Sequence, residues 1–314
     1  CVVVLDTATA KVRACVSLPG FDPEDVAASL DAPNSPLLNR AFSAYAVGSV
    51  FKPVLAAAAL EAGLAGFVYD CPGYCVVDGQ VFRCAGGVPH GQVDLAGALQ
   101  KSCNGYFIRL GQQLGPRQVR EMAARLGFGK TLSLTDSLCT AAGQLPEEST
   151  LASSGAYANF CFGQGELLAT PLQIAGMMNA LACGGVFREP LLLEVTLDES
   201  SGEPLQTLSH CWPRRVVSQT TAQTLQALLV SVVEEGTGRD AAPEEGTAGG
   251  KTGTAQTGQF AGGEERKNFW FAGFWPGERP RYTIIVLQDG QTAPSHSSAA
   301  VFAAVCAALK TAGD

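Results

Sequence analysis

The chain opens with two short apolar stretches, Val2 to Leu5 and Val12 to Val16, joined by the polar connection Asp6 to Lys11. Their β-branched content and the turn residues between them predict a hairpin. From Pro19 to Asn39 the apolar signal breaks up and Pro and Asn recur, which predicts a surface loop. After Gly48 the pattern turns into an Ala-rich apolar run, Ser49 to Gly63, read as a helix. Pro53 falls in its first turn, where no backbone N–H is needed, and Gly63 ends it. Helical spacing recurs at Leu95 to Leu114, Pro116 to Leu126, Leu172 to Ala182 and Thr221 to Glu234, with Gly-rich joints between. Strand-like runs then return at Lys251 to Gln256, Phe269 to Phe274 and Tyr282 to Gln288, and an Ala-rich helix from Ser297 to Lys310 closes the chain. Strands at both ends around a helical middle predict one sheet assembled from the two termini with a helical lobe inserted between them.

Composition fits that picture. The 314 residues are 46% hydrophobic and 16% charged, with 36 glycines, enough to bury a substantial core in one domain of two lobes. The formal net charge of -8 leaves no basic stripe to neutralise a phosphate backbone, so nucleic acid is excluded as a partner. No apolar run reaches the roughly 18 to 20 residues that span a bilayer, and residues 1 to 6 read as a strand, so the chain as given is expected to be soluble.

Three short motifs carry candidate chemistry. In Ser49-Val50-Phe51-Lys52 a hydroxyl and an amine three residues apart share one helix face, so the amine can reach the hydroxyl. A serine needs a base to act as nucleophile, and an amine serves only if its pKa falls well below about 10.4. Ser102-Cys103-Asn104 offers a hydroxyl able to relay a proton and a carboxamide able to grip a peptide bond; by itself it also reads as an ordinary helix cap. Lys251-Thr252-Gly253-Thr254 heads a strand. There Lys251 and Thr252 can bind a terminal carboxylate, and Gly253 can let a substrate backbone approach a strand edge.

Their order, with spacings of about 50 and about 150 residues, makes the chain resemble a penicillin-binding protein. The likeness extends to Leu38-Asn39-Arg40, Gly163-Gln164-Gly165, Thr170-Pro171-Leu172-Gln173, Glu235-Gly236-Thr237-Gly238 and Trp270-Phe271-Ala272-Gly273-Phe274, most of them read as structural. The resemblance is to the monofunctional, class B type. It implies an α/β (α+β) fold of the β-lactamase and transpeptidase kind: a five-stranded antiparallel sheet flanked by helices with an inserted all-helical lobe. Residues of about 1–60 and 236–314 would form the sheet lobe and about 61–235 the helical lobe. It also implies a D,D-transpeptidase that cross-links peptidoglycan stem peptides and is acylated by β-lactam antibiotics. Ser49 would form the acyl-enzyme, Lys52 take its proton, Ser102 relay a proton to the leaving amine with help from Lys251, and Asn104 hold the substrate amide. The N–H groups of Ser49 and Thr254 would form the oxyanion hole, Thr252 and Thr254 would receive the carboxylate, and Lys251 would keep Lys52 neutral. No cofactor is required for that catalysis. The implied setting is the extracytoplasmic face of the bacterial cytoplasmic membrane, with a membrane anchor that this sequence lacks. A D,D-carboxypeptidase or β-lactamase would use the same serine, and a sensor domain that binds without turnover is a third reading. Asn at the third position of the second motif favours the transpeptidase.

The chain holds 11 cysteines. Cys71, Cys75, Cys84, His90 and Cys103 fall close together, the last inside the second motif. Three thiolates and an imidazole make a tetrahedral zinc set, so Cys71, Cys84, His90 and Cys103 are candidate ligands of a structural zinc ion. A Cys71–Cys84 or Cys75–Cys84 disulfide, or unlinked buried thiols, are the competing readings. His210 and His296 stand in polar contexts and take no role.

Overall fold

The computed structural model describes residues 1–133, 138–198, 200–207 and 212–312; His210 lies outside them. Strands β1 (Val2–Asp6) and β2 (Val12–Val16) form the expected hairpin, with Val3 opposite Cys15. Asp6 closes it by accepting hydrogen bonds from the Thr9 N–H at 2.9 Å and the Thr9 hydroxyl at 2.7 Å, local chemistry that favours Asp in turns. At the other end of the chain, β3 (Gly249–Ala261), β4 (Glu264–Trp275) and β5 (Tyr282–Gln291) complete a five-stranded antiparallel sheet in the order β3-β4-β5-β1-β2. The termini therefore pair directly, Val3 opposite Ile285, and β3 is left as an edge.

Both faces of this sheet are covered, which explains why β1, the second half of β4 and the first half of β5 read as nearly unbroken apolar runs. Successive side chains alternate between two cores. Val3, Leu5, Trp270, Ile285 and Leu287 join the larger one, whereas Val4, Phe271, Ile284 and Val286 join Phe302 and Cys306 in the smaller. Each such fully buried side chain contributes roughly 1.5–3 kcal/mol relative to exposure.

Among the described residues, these helices frame the site: α1 (Lys52–Glu61), α2 (Leu95–Gln100), α3 (Asn104–Leu114), α4 (Pro116–Arg125), α5 (Pro171–Ala182), α6 (Gln219–Glu234) and α7 (Ser298–Ala312). A further short helix spans Ser154–Phe160. Helix α5 is buried along its whole length against β1, β4 and β5. A reciprocal cap starts it, with Thr170 and Gln173 each bonding the other's backbone N–H. Helix α6 lies against β3, α7 covers the opposite face of the sheet, and α1 packs among α3, α4 and α6.

Three local features differ from the sequence expectation. The helix read from Ser49 begins as a 3-10 turn over Gly48–Phe51 and becomes α-helical only at Lys52. The run Leu95 to Leu114 is broken at residues 101–103, where Ser102 takes a left-handed conformation (φ 51°) that interrupts any helix. The inserted segment is not all-helical: it carries two-stranded ribbons, among them Tyr69–Cys71 with Gly91–Val93 and Tyr74–Val77 with Gln80–Arg83. Among the described residues no helix is long and apolar enough to cross a membrane.

Candidate active site

Ser49 sits half-buried in the 3-10 turn ahead of α1. The turn is pinned from below by Phe51, whose ring packs against Phe128 at 5.3 Å and Phe160 at 4.9 Å. Behind it the Gly48 N–H donates to the Gly163 carbonyl at 2.7 Å. Its other side lies along β3, close enough that a Cβ on Gly48 would come within 2.7 Å of the Thr254 carbonyl oxygen. The backbones of the first and third motifs thus touch beside Ser49.

Lys52 is fully buried and ties the first motif to the second. Its Nζ donates to the Ser102 carbonyl at 2.7 Å, the Ser102 Oγ at 3.1 Å and the Asn104 Oδ1 at 2.8 Å, and lies 5.6 Å from the Phe107 ring centre. Among the described residues no hydrogen bond joins it to Ser49. Asn104 is engaged at both ends, accepting from Lys52 and donating from Nδ2 to the Arg83 carbonyl at 2.8 Å. One N–H and one lone pair of its carboxamide remain for a bound amide. The helix cap in this motif is Cys103, whose Sγ accepts from the Tyr106 N–H at 3.4 Å. Ser and Asn, the usual capping residues, point instead at Lys52.

Burial lowers the Lys52 pKa to about 7, against the opposing charges of Cys103 and Cys84. Lys251, equally buried, is held well below the usual lysine value, first by desolvation and then by the charge of Lys52. Loss of water is the leading cause for both amines, and the repulsion between the two buried lysines adds to it.

Lys251 Nζ donates to the Thr252 carbonyl and to Thr252 Oγ1, each at 3.3 Å. Thr252 is half-buried and Thr254 exposed. Gly253 departs from its expected role. A side chain there would point into the protein, 2.9 Å from Val50 Cγ1 and 3.1 Å from the Val50 nitrogen. The missing side chain lets β3 close on the turn that carries Ser49. Arg83, Phe107 and Thr237 were not legible as site residues, because their parts are played by a carbonyl, a ring face and a hydroxyl that tertiary packing brings in.

A family model for the transpeptidase domain of penicillin-binding proteins matches residues 1–307. The chain belongs to that family. Stage V sporulation protein D of Bacillus subtilis is 32% identical to this transpeptidase domain over 91% of the chain and 44% of its own length. Peptidoglycan D,D-transpeptidase PbpA of Mycolicibacterium smegmatis is 33% identical over 92% of the chain and 62% of its own. The chain thus spans about half the length of these relatives. Among solved structures, the D,D-transpeptidase domain of a peptidoglycan glycosyltransferase from Eggerthella lenta superposes with a TM-score of 0.87 at 29% identity, covering 99% of this chain and 78% of that one. Penicillin-binding protein A of M. tuberculosis, as its imipenem acyl-enzyme complex, gives 0.85 at 29% identity over 98% and 73%.

The transpeptidase domain also brings Cys71, Cys84, His90 and Cys103 together, their ligand atoms all within 4.8 Å of one another. Cys71 Sγ lies 3.7 Å from Cys84 Sγ and 3.7 Å from His90 Nδ1, and Cys84 Sγ lies 3.9 Å from Cys103 Sγ. The ribbon places them: Cys71 is opposite Gly91, the His90 N–H donates to the Cys71 carbonyl at 3.0 Å, and the Cys84 N–H donates to the Gly73 carbonyl at 2.9 Å. Cys84 is held below the ordinary thiol value first by the hydrogen bond from Cys103 and then, against the cost of burial, by the N–H groups of Gly105 and Asn104 at the start of α3. Cys71, Cys75 and Cys84 are unlinked, which is not the bonding that either disulfide reading expects.

Proposed function

We propose that this domain is a D,D-transpeptidase that cross-links peptidoglycan stem peptides through an acyl-serine at Ser49, and that β-lactams acylate the same residue. The observation that carries the reading is the Lys52 amine: fully buried, with a pKa lowered to about 7, bonded to Ser102 and Asn104 and one turn from Ser49. Ser49 Oγ attacks the carbonyl carbon of the penultimate D-Ala and passes its proton to neutral Lys52. The N–H groups of Ser49 and Thr254 hold the oxyanion. As the C–N bond breaks, the leaving D-Ala amine takes the proton back through the Ser102 hydroxyl. The acceptor amine then attacks the ester, forms the new amide and frees Ser49. Lys251, Thr252 and Thr254 hold the substrate carboxylate, and the remaining N–H of Asn104 holds its amide. The reaction runs outside the cytoplasmic membrane, where the stem peptides lie.

No cofactor takes part in this chemistry. A structural zinc ion belongs to the same reading, held by Cys71, Cys84, His90 and Cys103. Its support is geometric: tetrahedral ligands with Zn–S of about 2.3 Å have sulfurs about 3.8 Å apart, against the observed 3.7 and 3.9 Å. The ion would fix the excursion of residues 71–103 behind the second motif and supply nothing to the acyl transfer.

The test is covalent labelling with a penicillin, read as the mass shift of the peptide around residue 49. Wild type is expected to carry one adduct there that persists for minutes to hours, Ser49→Ala none, and Lys52→Ala to react at least about a hundredfold more slowly. Labelling of Ser49→Ala would mean another nucleophile, and rapid turnover of the wild-type adduct would make the domain a hydrolase.

A further inference from the structure

The run Glu235-Gly236-Thr237-Gly238 has no part in the chemistry above, yet it straps two walls of the site together. After α6 ends, the Gly236 and Gly238 N–H groups both donate to the Val232 carbonyl, at 3.1 and 3.0 Å, folding the chain back sharply. The Thr237 N–H then donates to the Gln100 carbonyl at 2.9 Å, and the Gln100 side chain donates to Glu235 at 3.1 Å. Gln100 ends α2, two residues before Ser102. On the other side, Thr237 Oγ1 lies 3.0 Å from Thr252 Oγ1, and the two threonines line one cavity of about 260 Å³.

A threonine hydroxyl has one proton and two lone pairs. Lys251 already donates to Thr252 Oγ1. If Thr237 donates as well, both lone pairs of Thr252 are taken and its proton can only turn outward, to an acceptor in the site. If Thr252 donates to Thr237 instead, that proton is lost to a ligand. A bound carboxylate selects the first arrangement, because a hydrogen bond to an anion outweighs one between neutral hydroxyls.

We propose that Thr237 is a positioning residue for the carboxylate subsite, fixing the Thr252 hydroxyl as a donor toward the substrate's terminal carboxylate. The inference rests on the acyl-serine reading. The Gln100 bond holds Thr237 in place, so the same segment that leads into the second motif also orients the third.

The experiment compares acylation of Ser49 by a penicillin and by its methyl ester, which keeps the ring but not the charge, in wild type, Thr237→Val and Thr237→Ser. Thr237→Val is expected to slow the reaction with the free acid roughly three- to tenfold, and that with the ester less than about twofold. Thr237→Ser restores the wild-type rate, and a melting temperature within about 2 °C of wild type in both variants shows an intact fold. Equal slowing with both probes means a structural role and overturns the proposal, as does no slowing with the acid. A wild-type domain that is never acylated at Ser49 overturns the underlying reading instead, a distinguishable result.

Discussion

Lys52 carries a proton problem that can be measured. Its Nζ is out of water, so desolvation penalises the charged form even though the oxygens of Ser102 and Asn104 favour it, and the neutral form is the one that can accept from Ser49. With the folded pKa lowered to about 7, the neutral fraction rises through neutrality. The acylation rate is therefore expected to climb about tenfold per pH unit below about pH 6 and to level off above about pH 8. A stopped-flow profile with a chromogenic cephalosporin checks this; a flat rate from acid to alkali would remove Lys52 as the titrating base. The residue types of the three motifs were legible from sequence because hydroxyl, amine and carboxamide are chemically specific. What each touches was less so. Gly253 is the case in point: its missing side chain suggests room for a ligand, but whether that room faces solvent or Val50 is decided by how β3 meets the turn that carries Ser49.

At the scale of elements, the second motif shows what local pattern cannot convey. Apolar spacing continues from Leu95 to Leu114 as if through one helix, yet Ser102 at φ 51° splits it into α2 and α3. A non-glycine residue holds that conformation only when its surroundings fix it. Lys52 does so through the Ser102 carbonyl, and the Cys103 N–H through the Ala98 carbonyl at 2.9 Å. The ribbons around residues 69–93 were equally illegible, since three or four residues are too few for alternation to register. Yet they present three of the four proposed zinc ligands. Cys84→Ser should therefore lower bound zinc from about one equivalent to below about a tenth and drop the melting temperature by about 5 °C or more, measured by elemental analysis and calorimetry. Wild-type protein without zinc, two mass units light from a Cys71–Cys84 disulfide, would sink the metal reading.

At the scale of the whole molecule, a sheet built from both termini must be joined to a helix from the middle of the chain. The apolar pattern made that architecture legible: strands at the ends, helices between. It was silent on the polar link at the centre. Asn179, wholly buried on α5, accepts a hydrogen bond from the Thr283 hydroxyl of β5 at 2.9 Å and donates to the carbonyl of Thr7, just beyond β1, at 3.3 Å. The Thr7 and Thr283 hydroxyls bond each other at 3.1 Å. This cluster crosses the seam where the first and last strands meet, in a place no water-exposed group could substitute for it. Asn179→Ala removes a donor and an acceptor while leaving the Thr7 carbonyl buried without this partner, so the loss should exceed that of a simple cavity. The expected cost is about 2–4 kcal/mol of unfolding free energy, read from urea denaturation. Acylation of the protein that remains folded should be unchanged, because no atom of the cluster reaches Lys52 or Ser49 by a hydrogen bond. If stability held while acylation fell, the polar seam would have to be linked to catalysis and not to the joining of the chain's two ends.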